Sequence, residues 1–247
     1  MTDPQPTDTD VTKEWRANQG QKSAASRLRL FAAIAWVVAI GTEIAGVVLL
    51  RQHKFDHGNL ALLIGLLVVI AVFAIAGSLM WKAANRHDPA SKADSARFFF
   101  QNQLGAIITV VAFVPLIVLI FTNKNMNGQQ KGIAGAIGIV LLLVAGYFGT
   151  SINPPSTEQY DQETATVVGY TGQDLVFWTK SGKVYHLCQD VSDVNLESKD
   201  NTIYSGTVAE AHAAGKSRLT LEVDSELAQC GFDATSAPVE PDPTSTP

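Results

Sequence analysis

The sequence predicts a membrane protein of two parts, an all-α region of four transmembrane helices followed by a small soluble α+β domain at the C-terminus. Three observations carry this expectation. Four apolar runs reach the length of about 20 residues that a helix needs to cross a bilayer. Charge is segregated: residues 1–151 hold 13 Lys and Arg against 8 acids, a net of +5, whereas residues 152–247 hold 5 against 15, a net of −10. Strand-forming patterns begin only after the last apolar run. A single soluble globule does not divide charge and hydropathy in this way, and the acidic balance argues against a nucleic-acid partner.

The expected spans are residues 29–50, 59–81, 98–121 and 132–151. The second, from Leu60 to Leu79, has no charged side chain and therefore no polar face, which excludes a helix lying on the membrane surface. The first follows a basic stretch, but it is too long for a secretory signal and has no small-residue cleavage site after a short apolar core. Residues 1–27 read as a disordered basic segment, 152–162 as a polar linker through Asn153-Pro154-Pro155, 163–233 as the α+β domain and 234–247 as a disordered tail.

Loop charge gives an orientation. The N-terminal segment (Lys13, Arg16, Lys22, Arg27, Arg29) and the second loop (Lys82, Arg86, Lys92, Arg97) carry nine cations, whereas the first and third loops carry four, Arg51, Lys54, Lys124 and Lys131. The positive-inside bias places the N-terminus in the cytoplasm, and an even number of spans returns the C-terminal domain to that side. Against this, no Lys or Arg occurs between Thr150 and Thr179. If Cys188 and Cys230 are disulfide-bonded, the domain belongs in an oxidising compartment outside the cytoplasm.

Within the apolar spans, Glu43 is the single ionisable residue placed deep enough to cost about 2.5 kcal/mol or more, so it is the intramembrane functional candidate. It is read either as a proton or cation site, or as a carboxyl that snorkels toward the interface near Arg51. The second reading is preferred because no other span carries a charge at matching depth. Gly132, Gly135, Gly138 and Gly146 in the fourth span suit close helix packing, within the chain or in a homo-oligomer. Pro115 is expected to kink the third helix, and Gln101, Asn102 and Gln103 to lie at the interface.

In the acidic half, Thr164 to Tyr170, Asp174 to Thr179 and Val184 to Leu187 read as strands, the last two joined as a hairpin through Lys180-Ser181-Gly182-Lys183, with Gly182 free to take a positive φ. Thr202 to Tyr204 is a further extended piece. Thr207-Val208-Ala209-Glu210 is a capping box that should start a helix running to about Ala214 and stopping at Gly215. Leu219 to Val223 reads as extended and Asp224 to Gln229 as a second short helix. Asp190, Asp193 and Asp200 fall in a loop where solvation explains them. Cys188 and Cys230 match no zinc-knuckle or thioredoxin-like spacing. They form either a disulfide or a pair of unpaired thiols, and a site combining them with His186 and His212 is the metal-binding alternative.

Val176-Phe177-Trp178-Thr179, Gly182 to His186, Tyr204-Ser205-Gly206-Thr207, Glu210-Ala211 and Ala213-Ala214-Gly215-Lys216 with Arg218 together resemble a small domain that ends actinobacterial multi-pass membrane proteins of unknown function. Related Tyr-His and Cys-rich patterns occur in small metal-binding tails of other bacterial proteins. That pattern implies one His and three Cys ligands, but this sequence has Val191, Thr220 and Val223 where the thiols should be and keeps only His186. The resemblance therefore implies a metal-free descendant with no cofactor.

No phosphate-cradling glycine loop, nucleophile elbow or zinc-protease helix is present. The expectation is a non-catalytic, membrane-anchored binding or scaffolding protein, whose partners are the lipid bilayer and a protein met by the acidic domain. The alternative is a small transporter or channel subunit that uses Glu43.

Overall fold

An apolar run in hydrocarbon can satisfy its backbone only by coiling into helix, and the computed structural model, which describes residues 15–52 and 59–232, has four long helices where the runs lie. They are α1 (Gln19–Arg51), α2 (Leu60–His87), α3 (Ser95–Thr122) and α4 (Gly128–Gly149). Each extends beyond its expected span at one end or both. Hydropathy marks only the part inside hydrocarbon, whereas helical hydrogen bonding continues into the headgroup region wherever a cap is available. Asp94 caps α3 by accepting from the Arg97 backbone N–H at 3.1 Å. Asn127 and Gln130 form a reciprocal capping box on α4.

The described residues fall into two units, 19–154 and, together, 15–18 and 155–232. In the first, α2 packs on the other three helices. Leu63, Leu67 and Ile70 of α2 meet Phe113, Leu116 and Ile120 of α3 in the buried core. Outward-facing Val37, Val72, Val110, Val140 and Leu143 are exposed, an apolar surface that fits contact with a lipid bilayer.

Small residues set the closest helix approaches, but not all of those expected. A Cβ on Gly149 would lie 2.7 Å from the Ala106 backbone nitrogen, and one on Gly105 would lie 2.9 Å from the Gly149 carbonyl oxygen, so α3 and α4 cross backbone to backbone there. Gly135 and Gly138 make room for Phe121 and Ile117. Gly132 and Gly146 face open space, with nothing packed on them among the described residues.

One end of the bundle is cross-linked by polar groups. Arg29 pairs with Asp88 at 2.8 Å, the Trp81 indole and the Asn85 amide both donate to the Gln101 carbonyl oxygen at 2.7 Å, and Lys82 donates to the Thr150 carbonyl oxygen at 2.7 Å. Gln101 and Asn102, expected at a wet interface, are buried, and Gln101 Nε2 donates to the Asp88 carbonyl oxygen at 2.8 Å. Their polarity serves carbonyls left over where α2 ends and the chain turns.

In the second unit the order is α5 (Thr157–Thr171), β1 (Val176–Thr179), α6 (Ser192–Glu197), β2 (Ile203–Gly206), α7 (Val208–Ala213) and α8 (Val223–Cys230). The strand expected over Thr164 to Tyr170, and part of the linker expected over 152–162, are instead α5. Ser156 caps it by accepting from the Gln159 N–H at 3.1 Å, Gly172 closes it at φ +78°, and Tyr160 and Val167 lie seven residues apart on the buried face. β-Branched composition suggested strand, but the cap and the helical spacing prevail.

The expected hairpin also differs. β1 pairs antiparallel with β2, Val176 opposite Gly206 and Thr179 opposite Ile203. Val184 to Leu187 is not a strand of this sheet. It joins β1 through one bridge, in which Phe177 and His186 exchange backbone hydrogen bonds at 2.9 and 2.8 Å, while Tyr185 bridges to Leu219 on its other side. The chain bends rather than forming a hydrogen-bonded turn over 180–183, and the glycine there is required for space: a Cβ on Gly182 would strike the Glu197 carboxylate. Asp193, expected in a loop, lies in α6. The Thr207–Glu210 capping box, the stop at Gly215 and the last helix match expectation.

The N-terminal segment departs from the expected disorder over 1–27, because α1 begins at Gln19 and Trp15 packs on the second unit. The Trp15 N–H donates to Asp161 Oδ1 at 2.5 Å, and its ring meets Tyr160 edge-on at 5.0 Å. The expected disorder over residues 1–14 and 234–247 lies outside the described residues.

Gly149→Val should force α3 and α4 apart and cost about 1–3 kcal/mol, as overpacking does. Detergent melting of the purified chain should show a lower midpoint for this variant than for Gly146→Val, whose side chain enters open space. Equal midpoints would contradict the close crossing.

Candidate functional site

The described residues that converge with chemical potential lie in the second unit, in two clusters built on carboxylates, Glu163 half-buried and Glu226 fully buried. In the first, α5 presents Glu163 one turn after Tyr160. The Glu163 carboxylate meets His212 Nε2 of α7 at 2.6 Å and accepts from the Tyr185 hydroxyl and, at 2.8 Å, from Gln159 Nε2. The His212 ring stacks on Tyr160 with centroids 4.3 Å apart and meets Tyr185 edge-on. Burial by itself would raise the Glu163 carboxyl, but the His212 ring, with the Tyr185 and Gln159 hydrogen bonds, outweighs it and holds the group below its ordinary 4.5. Burial first, and then the Glu163 charge, push the Tyr185 phenol up, so it stays a donor.

In the second cluster Glu226 of α8 is fully buried. Its two oxygens meet His186 Nδ1 at 2.6 Å and the Leu187 backbone N–H at 2.9 Å. His186 Nε2 is buried without a hydrogen-bond partner and lies 3.9 Å from Glu197 Oε2, beyond bonding distance. Nearby, the buried Lys216 ammonium donates at 2.6 Å to the carbonyl oxygens of Thr179 and Gly182 and so closes the turn between them. Burial lowers the Lys216 pKa, and the Glu197 charge offsets part of that shift.

Cys188 and Cys230 are joined in a disulfide with their Cα atoms 6.0 Å apart, which ties the segment after His186 to the end of α8. The bridge also removes both sulfurs from the expected metal alternative. His186 and His212 sit in separate carboxylate clusters, and among the described residues no three His, Cys, Asp or Glu side chains converge as a metal shell. Val191 and Thr220, at two positions where the resembled pattern has cysteine, are buried, and Val223 packs on the domain core.

Glu43 is only 5 % exposed. It does not reach for the interface near Arg51; its carboxyl faces the Leu116 backbone N–H in α3, next to Pro115, and Oε1 has no hydrogen-bond partner.

Glu163, Tyr185, Glu226 and Lys216 were not singled out by sequence reasoning. For Glu163 a signal existed: Tyr160, Glu163, Val167 and Tyr170 recur at helical intervals of three and four. For Glu226 there was none, because its partners are 39 and 40 residues away. Comparisons with family models, with characterised proteins and with solved structures find nothing that matches this chain.

Acid should loosen the first cluster. A carboxyl whose folded pKa is depressed contributes stability that is complete above its unfolded value and is lost as pH falls through the folded one. The protection factors of the α5 and α7 amides, exchange rates corrected for their intrinsic pH dependence, should therefore fall as pH drops below 4.5, and Glu163→Gln should flatten that part of the profile. Identical profiles for the two proteins would show that Glu163 is not the group responsible.

Proposed function

We propose that the protein is a multi-pass membrane protein that anchors a non-catalytic binding or scaffolding domain, displayed in an oxidising compartment outside the cytoplasm. The observation that carries this reading is the second unit's construction. It has its own core of Val167, Val176, Trp178, Tyr185, Leu187 and Leu227, a disulfide, and carboxylates spent on internal hydrogen bonds. Its reactive side chains His186, His212, Tyr185 and Glu226 are buried, which suits a rigid display module better than a reacting centre. The net charge of −10 over residues 152–247 favours a partner with a basic face, and Leu196 and Tyr204 offer exposed apolar contact.

Two features bear on the side of the membrane. Trp15, just ahead of α1, packs on the domain that follows α4, which supports both ends of the bundle leaving on one side. The nine-to-four Lys and Arg count favours the cytoplasm as that side, whereas the disulfide favours the outside. We give the disulfide more weight, because thiols kept reduced would leave the domain without its covalent closure, worth about 2–4 kcal/mol. Kinship with the actinobacterial proteins, as a metal-free descendant, is part of the same proposal and rests on the sequence resemblance alone. Gly132 and Gly146, open on α4, are the small residues left for contact with a second copy.

A maleimide that cannot cross membranes, applied to intact cells after an equally impermeant reductant, should label Cys188 and Cys230. Labelling only after the cells are opened would place the domain in the cytoplasm. Loss of acidic-domain contacts from the display reading is read separately: a photo-crosslinking residue at Leu196 should give a discrete adduct with a second protein, and its absence counts against binding.

A second reading, a small transporter, rests on the buried and partnerless Glu43 Oε1. It predicts that Glu43→Gln abolishes proton or cation flux in proteoliposomes; the anchoring reading predicts no such flux in either protein.

A further inference from the structure

At the cross-linked end of the bundle, α1, α2 and α3 leave a cleft of about 300 Å³ lined by Arg29, Trp81, Arg97, Phe100, Gln101 and Leu104. Its polar residues Arg29, Trp81, Arg97 and Gln101 lie where apolar runs give way to polar loops, at the depth of lipid headgroups, and Phe100 and Leu104 continue from them into the apolar run of α3. We infer that this cleft binds the phosphate of an anionic phospholipid, with Arg97 as the anchoring cation and the Phe100–Leu104 face of α3 carrying an acyl chain.

The polar rim supplies the first half of the argument. Of its donors, the Trp81 indole is bonded to the Gln101 carbonyl oxygen, Gln101 Nε2 to the Asp88 carbonyl oxygen, and the Arg29 terminal nitrogens to Asp88. Arg29 also lies over the Trp81 ring at 5.7 Å, which fixes it as part of the wall. Asp88 offsets one of the two positive charges, so the rim keeps a net charge of about +1. What is left without a partner is the Arg97 guanidinium, for which the described residues provide none, and Arg29 Nε, which is buried and unbonded. A guanidinium fork with free donors beside a second arginine matches phosphate oxygens, and it does so at a depth where phosphates are abundant.

The apolar wall supplies the second half and selects the source of that phosphate. Phe100 is 59 % exposed, and Leu104, Ile107 and Val111 continue its line at intervals of four, three and four, so one face of α3 runs from the rim along the bundle. A free anion would have no use for this surface, whereas an acyl chain attached to the phosphate would lie along it. The inference depends on the bundle lying in a bilayer and not on which leaflet the cleft faces.

The test uses the full chain, purified in detergent and examined by native mass spectrometry with added phosphatidylglycerol or phosphatidylcholine. One phosphatidylglycerol should be retained per chain in preference to phosphatidylcholine, and Arg97→Gln should weaken its retention roughly tenfold, about 1.4 kcal/mol. Arg97 has an exposed side chain and no side-chain partner, so the variant should fold. Lys124→Gln at the opposite end removes the same charge and should retain the lipid as the parent does. No preference for the anionic lipid, or equal loss in both variants, would overturn the site by making the attraction nonspecific. Inorganic phosphate alone should not displace the lipid at matched concentration; displacement that also depends on Arg97 would mean a free-anion site and would overturn the lipid assignment.

Discussion

No backbone N–H or C=O can go unpaired in hydrocarbon, and the bundle follows from that constraint. Each apolar run becomes a helix, and each helix carries to its ends the groups that helical bonding cannot serve. At the end where α2 closes and α3 begins, those groups are met by side chains brought from elsewhere: Gln101 on the Asp88 carbonyl, Trp81 and Asn85 on the Gln101 carbonyl, Lys82 on the Thr150 carbonyl. These long-range bonds let four helices whose outer faces are uniformly apolar adopt one mutual arrangement. Apolar side chains do not drive association inside lipid, so shape and polar contacts must specify it. The Gly105–Gly149 crossing provides the shape.

The second unit solves a different problem. A domain this small, with a sheet of two strands, cannot rely on apolar burial alone. It places buried carboxylates between segments and lets each serve several donors. Glu226 holds His186 and the Leu187 N–H while the disulfide fixes the same two segments a few residues on; Glu163 joins α5, α7 and the Tyr185 segment. Breaking one such carboxylate would leave several buried donors unmet. The domain's apparent acidity is therefore of two kinds, an exposed share that sets its surface potential and an internal share that holds it together.

Much of the fold was legible because it is written locally. The Thr207–Glu210 capping box and the Gly215 stop are short-range features and agree with the structure, as do the places of the four long apolar helices. The strand expected over Thr164 to Tyr170 failed because composition was weighed above spacing, although Ser156 and the Tyr160–Glu163–Val167–Tyr170 rhythm marked a helix. The hairpin through 180–183 failed for a deeper reason. β1 had two candidate partners of similar character, and the choice of β2 depends on packing that no window of sequence contains. Of the candidate site, His186, Cys188 and Cys230 were visible as residue types, but the carboxylates that decide their chemistry were not, since those come from other helices.

By itself the sequence determined the number of long apolar helices, where their apolar stretches lie and the capping box that opens α7, because hydropathy and capping act over a few residues. Only the tertiary structure decided that Glu43 turns inward toward α3, that Glu163 and Glu226 serve internal hydrogen bonds, that Cys188 meets Cys230, and that Arg97 finds no partner among the described residues beside an open cleft. Each of these depends on which distant segment arrives next to a side chain, and burial or pairing of a charge is a property of that meeting and not of the residue.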